Sequence, residues 1–206
     1  MSRSFCYQCQ RVKEACLCHK ITVIDNSLSV TVLQHPDESR LNKGTAIIAK
    51  LSLKNYQCWP GEDFSTHNAL NQLIDASADS IAVVYPSATA HSINDYMQAG
   101  SRLKKLKHVI FIDATWRKAK KIWSLSTNLH SLPTLLLESD IKSNYRIRKV
   151  PADGYLSTIE AIARCLSVFD EDEVKYQPML NVFDSMIEFQ IDKMGSDTYA
   201  KNYEKE

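Results

Sequence analysis

The sequence lacks the long apolar run that a membrane-spanning helix requires, which is about 20 residues. Its first ten residues, MSRSFCYQCQ, also lack the apolar core of a signal peptide. Neither a G-x-G-x-x-G motif nor a Walker loop is present, and this excludes the usual dinucleotide and nucleoside-triphosphate binding motifs. Because the sequence has neither a membrane-spanning run nor a signal peptide, we expect a cytoplasmic protein with no membrane partner.

The sequence also lacks an excess of charge of one sign. It has 25 basic and 24 acidic residues, which give a net charge of +1. The two signs are nevertheless separated along the chain. Residues 101–150 hold twelve Lys and Arg but three Asp and Glu, whereas residues 166–206 hold four basic and ten acidic residues. The basic block is compatible with a phosphate-binding surface, and solvated helix faces are the alternative interpretation.

The composition is that of a folded protein. Of the 206 residues, 44% are hydrophobic and 24% are charged, which argues against a disordered chain. The length fits one domain, or one domain with a small addition. We expect a monomer with no obligate protein partner.

Four of the six cysteines lie within thirteen residues, in the string CYQCQRVKEACLC. They are Cys6, Cys9, Cys16 and Cys18. Two close thiol pairs favour tetrahedral zinc, and four sulfur ligands leave no open position for a catalytic water. We predict a structural Zn²⁺ in a module over residues 1–22, with His19 as a substitute ligand because the second pair is C-x-C. A redox pair and free thiols are the alternatives, and Cys58 and Cys165 are interpreted as core residues.

After the cysteines, short apolar runs alternate with segments of helical periodicity. The runs predict strands buried on both faces at 30–33, 81–84, 109–112 and 135–137. The periodic segments predict helices at 45–53, 69–76, 92–105 and 178–194, with a frayed tail at the end. This alternation predicts an α/β domain over residues 23–206, with a mostly parallel sheet covered by helices.

Polar and turn-forming residues follow three of the predicted strands. They are Gln34, His35 and Pro36 after the first, Tyr85, Pro86 and Ser87 after the second, and Asp113, Thr115 and Trp116 after the third. Ligands of such sheets collect at the carboxyl ends of the strands, so these residues together indicate a binding site. Strand termination and helix capping explain each of them taken singly.

The segment after Asp113 predicts a helix crowded with cations. These are Arg117, Lys118, Lys120 and Lys121, while Trp116, Ala119 and Trp123 share one face. So many cations close to a carboxylate at a strand end indicate that a polyanion binds here. The carboxylate itself indicates an adjacent site that requires one negatively charged group. A buried tryptophan stripe with solvated lysines is the alternative.

A capping box begins another predicted helix, because Ser157 is followed three residues later by Glu160. The N–H groups and the positive dipole end of such a helix can hold an anion such as a carboxylate. Structural capping alone also explains both residues.

The string Asp113, Ala114, Thr115, Trp116 resembles the D-x-T-W signature of the DTW-domain family of tRNA-uridine aminocarboxypropyltransferases. The resemblance extends in order over the two cysteine pairs and the strings LQHP, YPS, YRIR and STIEA, from Cys6 to about Ala163. Ala114 stands where the family more often has glycine, a change that the motif tolerates.

The resemblance implies transfer of the 3-amino-3-carboxypropyl group from S-adenosylmethionine to N3 of a tRNA uridine, typically in the variable loop. The leaving product is 5′-methylthioadenosine. It also implies a SPOUT-like fold with a mostly parallel sheet, helices on both faces and a C-terminal trefoil knot.

The resemblance implies roles for individual residues as well. Asp113 is expected either to accept the N3 proton as a general base or to orient it, with Thr115 beside it, and Trp116 either forms an aromatic wall of the site or packs beneath it. The expected contacts of S-adenosylmethionine are Leu33, Gln34, His35, Pro36, Tyr85, Pro86, Ser87, Asp113, Ser157, Thr158 and Ala161. The expected RNA contacts are Arg102, Lys104, Lys105, Arg117, Lys118, Lys120, Lys121, Arg146 and Arg148. The basic residues Arg3, Arg11, Lys13 and Lys20 of the cysteine module are a second expected RNA contact.

Two other functions fit the same residues. A SPOUT-type RNA methyltransferase uses the same co-substrate but leaves S-adenosylhomocysteine. A non-catalytic, zinc-containing RNA-binding protein needs no S-adenosylmethionine. The carboxylate inside a basic segment favours an enzyme, because RNA binding alone gives no reason to place it there.

Overall fold

In the described residues, six strands form one sheet in which every neighbouring pair is parallel. The computed structural model describes residues 4–39, 44–98, 106–137, 143–147 and 156–203. The strands are β1 (Ser29–Gln34), β2 (Tyr56–Pro60), β3 (Ile81–Val84), β4 (His91–Ser92), β5 (His108–Asp113) and β6 (Thr134–Leu136). Their order across the sheet is β2-β1-β5-β3-β6-β4, so the long strands β1 and β5 lie side by side.

Helices cover both faces of this sheet. They are α1 (Pro36–Ser39), α2 (Ala46–Ser52), α3 (Asn68–Ser77), α4 (Ile93–Gln98), α5 (Trp116–Leu125), α6 (Thr158–Asp170), α7 (Gln177–Met194) and α8 (Ser196–Tyr203). One apolar cluster joins Val32 and Phe111 to α2, α6 and α7. A second joins Leu33 and Ile110 to α3 and α5. Neighbouring residues of a strand point to opposite faces, which is why each central strand contributes to both clusters.

The α/β architecture and the parallel sheet are confirmed. Each of the four predicted strands coincides with or overlaps a strand, and the helices predicted at 45–53, 69–76 and 178–194 are α2, α3 and α7. The helix predicted at 92–105 corresponds to α4, and residues 99–105 lie outside the described residues. The ranges 138–142 and 148–155 also lie outside them, and the trefoil knot stays a prediction.

The elements α1, β2, β4 and α8 are not among the sequence predictions. The frayed tail is wrong over 196–203, because Gly195, with a φ of +82°, turns the chain out of α7 and α8 follows. Strand β2 was not predicted, since its sequence YQCWP is half-buried along the edge of the sheet and contains no apolar run. Pro60 is the last residue of β2. A proline is tolerated there because an edge strand does not need every backbone N–H for pairing.

The N-terminal cysteine segment packs against the α/β core. Leu17 is buried in the cluster that contains α6 and α7. Arg11 is also buried, and its Nη2 donates to Met186 Sδ in α7 at 3.0 Å and to the Gly44 carbonyl at 3.4 Å. The interpretation of Arg11 as an RNA contact is therefore wrong, because the guanidinium lies inside the protein.

Among the described helices, none is both long and apolar enough to cross a membrane.

The carboxyl ends of β1 and β5 form the edge at which a ligand is expected. Gln34 lies opposite Asp113 in the register of the two strands. The chain passes from β1 outward to β2 and then crosses to β3 on the other side of β5, so the direction of winding reverses here. In α/β sheets such a reversal opens a crevice in which ligands bind.

A buried polar group lies at the start of β5. His108 Nε2 and Thr31 Oγ1 are 2.5 Å apart, and Gln57 Nε2 donates to Thr31 Oγ1 at 2.8 Å. Burial lowers the pKa of His108 to about 4. The imidazole is therefore neutral in the folded protein at pH 7.

We expect His108 to make the fold less stable at mildly acidic pH. The unfolded imidazole takes up a proton near its ordinary pKa of 6.5, whereas the folded one does so only near 4. Linkage over this interval gives a loss of about 2 kcal/mol in the free energy of unfolding between pH 7 and pH 5. Urea unfolding at both pH values should show this loss in the wild type and not in His108→Gln. Equal losses in the two proteins would contradict a buried neutral histidine.

Candidate active site and metal centre

Asp113 ends β5, and its carboxylate joins two other parts of the chain. Oδ2 accepts a hydrogen bond from Gln34 Nε2 at 2.7 Å, and Oδ1 accepts one from Thr158 Oγ1 at 2.5 Å. The residue is 8% exposed. No cation of the described residues forms an ion pair with it. The carboxylate therefore keeps capacity for a ligand that brings a proton or a positive charge.

The first turn of α6 faces this carboxylate through Thr158. The predicted capping box is confirmed, since the Ser157 N–H donates to Glu160 Oε2 at 2.8 Å. Glu160 also accepts hydrogen bonds from Ser143 Oγ at 2.8 Å and from the Asn144 N–H at 2.7 Å. The glutamate thus fixes a neighbouring segment to the start of the helix. The first N–H groups of a helix have no acceptor within it, so this end offers donors to an anion.

Gln34 is also held from β2. The Cys58 thiol donates to Gln34 Oε1, with a sulfur–oxygen distance of 3.7 Å. Burial and the nearby charge of Asp113 raise the pKa of Cys58, so this side chain is a thiol at neutral pH. Cys58 is half-buried beside the site and packs against the apolar cluster that contains α2, α6 and α7, which agrees in part with its interpretation as a core residue. Cys165 is fully buried, as predicted.

His35 connects the end of β1 to β5, to α1 and to Glu62. Its backbone N–H donates to the Asp113 carbonyl at 3.0 Å, and its Nδ1 accepts from the Asp37 N–H at 3.1 Å. Since Nδ1 accepts, Nε2 is the donor to Glu62 Oε1, at 2.7 Å. Lys121, 2.5 Å from Glu62, and His35 together hold the pKa of Glu62 below its usual range. His35 is buried, and its hydrogen bonds fix the position of the end of β1.

The cations of α5 divide into two kinds. Lys118 pairs with Asp37 at 2.7 Å, and Lys121 pairs with Glu62. Arg117 and Lys120 are exposed and form no ion pair with the described residues. Charge counting along the sequence could not separate the paired lysines from the unpaired cations.

The tryptophans of α5 do not form a buried stripe. Trp116 begins the helix, three residues after Asp113, and is 42% exposed. Ala119 is buried, and the Trp123 ring stacks on Tyr85 at a centroid distance of 4.5 Å. Thr115 occupies the N-cap position of the helix.

Leu33 and Tyr85 lie on the opposite face of the sheet from the Asp113 carboxylate. Leu33 is fully buried in the cluster under α3 and α5, and Tyr85 packs against the same cluster. The alternation of strand side chains accounts for this separation, since Leu33 precedes Gln34 in β1. These two predicted contacts are therefore not brought to the carboxylate.

The other predicted residues lie in several different elements. Ser87 Oγ lies 2.5 Å from Thr134 Oγ1, at β6, and Pro86 is exposed. Ala161 is half-buried in the first turn of α6. Arg146 pairs with Glu188 in α7 at 2.6 Å. The RNA contacts predicted at Arg102, Lys104, Lys105 and Arg148 lie outside the described residues.

The four predicted metal ligands lie together. The sulfur atoms of Cys6, Cys9, Cys16 and Cys18 are all within 4.8 Å of one another. Two of their separations are 3.7 Å and 3.8 Å. Tetrahedral zinc with bonds of about 2.3 Å requires about 3.8 Å between sulfurs, so the cluster fits such an ion. His19 is exposed and is not part of the cluster.

Backbone groups of the first cysteine turn favour a thiolate. Hydrogen bonds from the backbone at Cys9 and Gln8 lower the pKa of the Cys6 thiol to about 6, whereas burial and hydrogen bonds with the other cysteines raise the pKa of the Cys18 thiol to about 12. All six cysteines of the chain are free of disulfides. Metal binding requires deprotonated thiols, so this turn suits a ligand.

Comparison with known proteins gives consistent relatives over nearly the whole chain. A protein of Drosophila melanogaster named tRNA-uridine aminocarboxypropyltransferase 2 is 26% identical over an alignment of 208 positions, which covers 98% of this chain and 80% of the relative. The protein of that name from Mus musculus is 26% identical, over 98% of this chain and 68% of the relative. In Arabidopsis thaliana, tRNA-uridine aminocarboxypropyltransferase A is 25% identical, over 91% of this chain and 81% of the relative. No solved structure matches the chain significantly.

The family model of the DTW domain matches residues 3–191. This range contains the cysteine cluster, the Asp113 carboxylate with its two donors, and the capped start of α6. The chain therefore belongs to the DTW domain family.

Proposed function

We propose that this protein transfers the 3-amino-3-carboxypropyl group from S-adenosylmethionine to N3 of a uridine in tRNA. The observation that carries the proposal is the buried Asp113 carboxylate, which accepts hydrogen bonds from Gln34 and Thr158 at the carboxyl edge of the sheet. Family membership and the names of the relatives support the same reaction. A cytoplasmic monomer with a SPOUT-like knot is part of the proposal.

S-adenosylmethionine supplies an activated γ-carbon, whose bond to sulfur breaks with both electrons staying on sulfur, so that 5′-methylthioadenosine leaves. Uridine N3 loses its proton and bonds to that carbon. The protein therefore has two tasks, which are to hold N3 and the carbon in line and to accept one proton.

Asp113 is the group that accepts the N3 proton. N3 is a weak nucleophile until its proton leaves, and a positioned general base contributes about 10²–10⁴-fold to such a step. Gln34 and Thr158 each bind one carboxylate oxygen, so the carboxylate is oriented before the reaction begins. Each oxygen still has a lone pair for the N3 proton.

The start of α6 holds the carboxylate of the transferred group. The helix has 13 residues, and its positive dipole end and first N–H groups match a negative charge. Thr158, which begins the helix, also donates to Asp113, so the two charged parts of the site are adjacent. The negative charge of Asp113 in turn matches the positive charge of the co-substrate.

The exposed part of α5 binds the tRNA backbone. Arg117 and Lys120 are free of ion pairs with the described residues, and Trp116 is exposed beside them. The helix that carries these residues begins three residues after Asp113, so it starts at the same edge of the sheet as the carboxylate. Trp116 forms the aromatic wall on which the extruded base stacks.

The cysteine cluster binds a structural zinc ion. Its four sulfur ligands and their spacing fit tetrahedral Zn²⁺ and leave no position for a reacting water. Because residues of this segment bury little apolar surface by themselves, metal binding supplies part of their folding energy.

Nucleoside mass spectrometry tests the reaction most simply. Unmodified tRNA incubated with the protein and S-adenosylmethionine should yield a uridine whose mass has grown by one aminocarboxypropyl group, together with 5′-methylthioadenosine. A methylated nucleoside with S-adenosylhomocysteine would instead show a methyltransferase. No modified nucleoside, with no binding of S-adenosylmethionine in calorimetry, would show a non-catalytic RNA-binding protein.

We also expect the two kinds of α5 cations to differ in RNA binding. Each cation that neutralises a phosphate adds about 0.7–0.9 to the slope of log affinity against log salt. The double variant Arg117→Ala, Lys120→Ala should therefore lower that slope by about 1.5 and weaken tRNA binding at low salt.

The matched control is Lys118→Ala, Lys121→Ala, which removes the same net charge. Its slope should change less, because Asp37 and Glu62 already pair with these lysines. Fluorescence anisotropy with labelled tRNA over a salt series measures both slopes. Equal changes in the two variants would contradict the assignment of the tRNA contact to Arg117 and Lys120.

A further inference from the structure

Two aromatic side chains project into solvent from the first turn of the cysteine cluster. Tyr7, which lies between Cys6 and Cys9, is 99% exposed, and Phe5 is 48% exposed. Neither ring belongs to the two apolar clusters of the described residues, so neither is part of the core. An exposed pair of large aromatic residues at one place is typical of an interaction surface.

The backbone around these rings is fixed. The Gln10 N–H donates to the Cys6 carbonyl at 2.8 Å and closes the turn that carries Tyr7. Phe5 forms an antiparallel bridge with Val12, and the Lys13 N–H donates to the Ser4 carbonyl at 3.0 Å. A metal bound to the cluster constrains the same turn further. The rings are therefore presented by a rigid support and not by a loose terminus.

This support has a defined position relative to the rest of the protein. Leu17 anchors it in the core, and the buried Arg11 side chain connects it to Met186 in α7. Tyr145 packs edge-on against Phe183 of the same helix. The aromatic tip is thus held at a constant place with respect to α6, α7 and the candidate active site.

The charges around the tip favour a polyanion. Lys13 and Lys20 are exposed on the module, and Glu14 is the exposed acid between them in sequence. The backbone contact of Lys13 with Ser4 places it beside Phe5. Aromatic rings next to cations are the combination with which proteins bind unpaired nucleotides, because bases stack on the rings and phosphates attract the cations.

We propose that Tyr7 and Phe5 form a stacking platform for an unpaired base of tRNA other than the target uridine. The platform rests on the proposed function, since it makes the cysteine module a second recognition point on the same substrate. It adds affinity and selects tRNAs whose unpaired base reaches the module while the target uridine reaches Asp113.

Binding of full-length protein to tRNA, by anisotropy over a salt series, tests this platform. Loss of one stacked base weakens binding about 5- to 150-fold, so Tyr7→Ala should do so at every salt concentration. The salt slope should stay unchanged, because no cation is removed. Tyr7→Trp should bind at least as tightly as the wild type. Lys13→Ala, in contrast, should lower the slope by about 1.

Val174→Ala is the matched control, since it removes an apolar side chain that is 76% exposed in the loop between α6 and α7. Its affinity should equal that of the wild type. Elemental analysis should find one zinc per chain in all of these proteins, which shows that Tyr7→Ala leaves the metal centre intact.

Wild-type affinity in Tyr7→Ala, with zinc retained, would overturn the platform and leave the transferase proposal standing. The same result would follow if the tip binds another protein. A wild-type protein that neither binds nor modifies tRNA would overturn both. A changed salt slope in Tyr7→Ala would also overturn stacking as the role of this ring.

Discussion

The hydrogen bonds of the Asp113 carboxylate are the constraint on which the candidate site depends. They join the ends of β5 and β1 to the first residue of α6, although Gln34 and Thr158 lie 79 and 45 positions away in sequence. A carboxylate this buried costs free energy unless donors satisfy it, so the neutral donors of Gln34 and Thr158 are needed for the fold as well as the chemistry. Because neither donor is a cation, the negative charge remains available to a ligand.

A continuous set of contacts leads from this carboxylate to the cysteine cluster. Thr158 begins α6, whose Glu160 holds the Asn144 backbone, and the adjacent Tyr145 packs on α7. The same helix carries Met186, the neighbour of buried Arg11. The cysteine module, the start of α6 and the Asp113 carboxylate are therefore parts of one framework. The proposed tRNA contacts at α5 and at the module both depend on this fixed separation.

The sequence predicted what depends on local signals. Apolar runs gave the central strands, the spacing of Ser157 and Glu160 gave the helix start, and cysteine spacing gave the cluster. The features that the sequence did not predict depend on contacts between residues that are far apart in sequence. The half-buried edge strand that carries Cys58 has no apolar run, and the ion pairs of Lys118 and Lys121 span 81 and 59 positions. The side of the sheet on which Tyr85 lies follows from where α5 packs, which periodicity alone does not reveal.

Single-turnover transfer by Asp113→Asn tests the central claim most directly. Asparagine keeps the size of the side chain and one acceptor oxygen, but it cannot take the N3 proton. With folding and S-adenosylmethionine affinity equal to those of the wild type, the variant should transfer the group at least about 100-fold more slowly. A folded variant that binds S-adenosylmethionine normally and transfers at the wild-type rate would contradict the account.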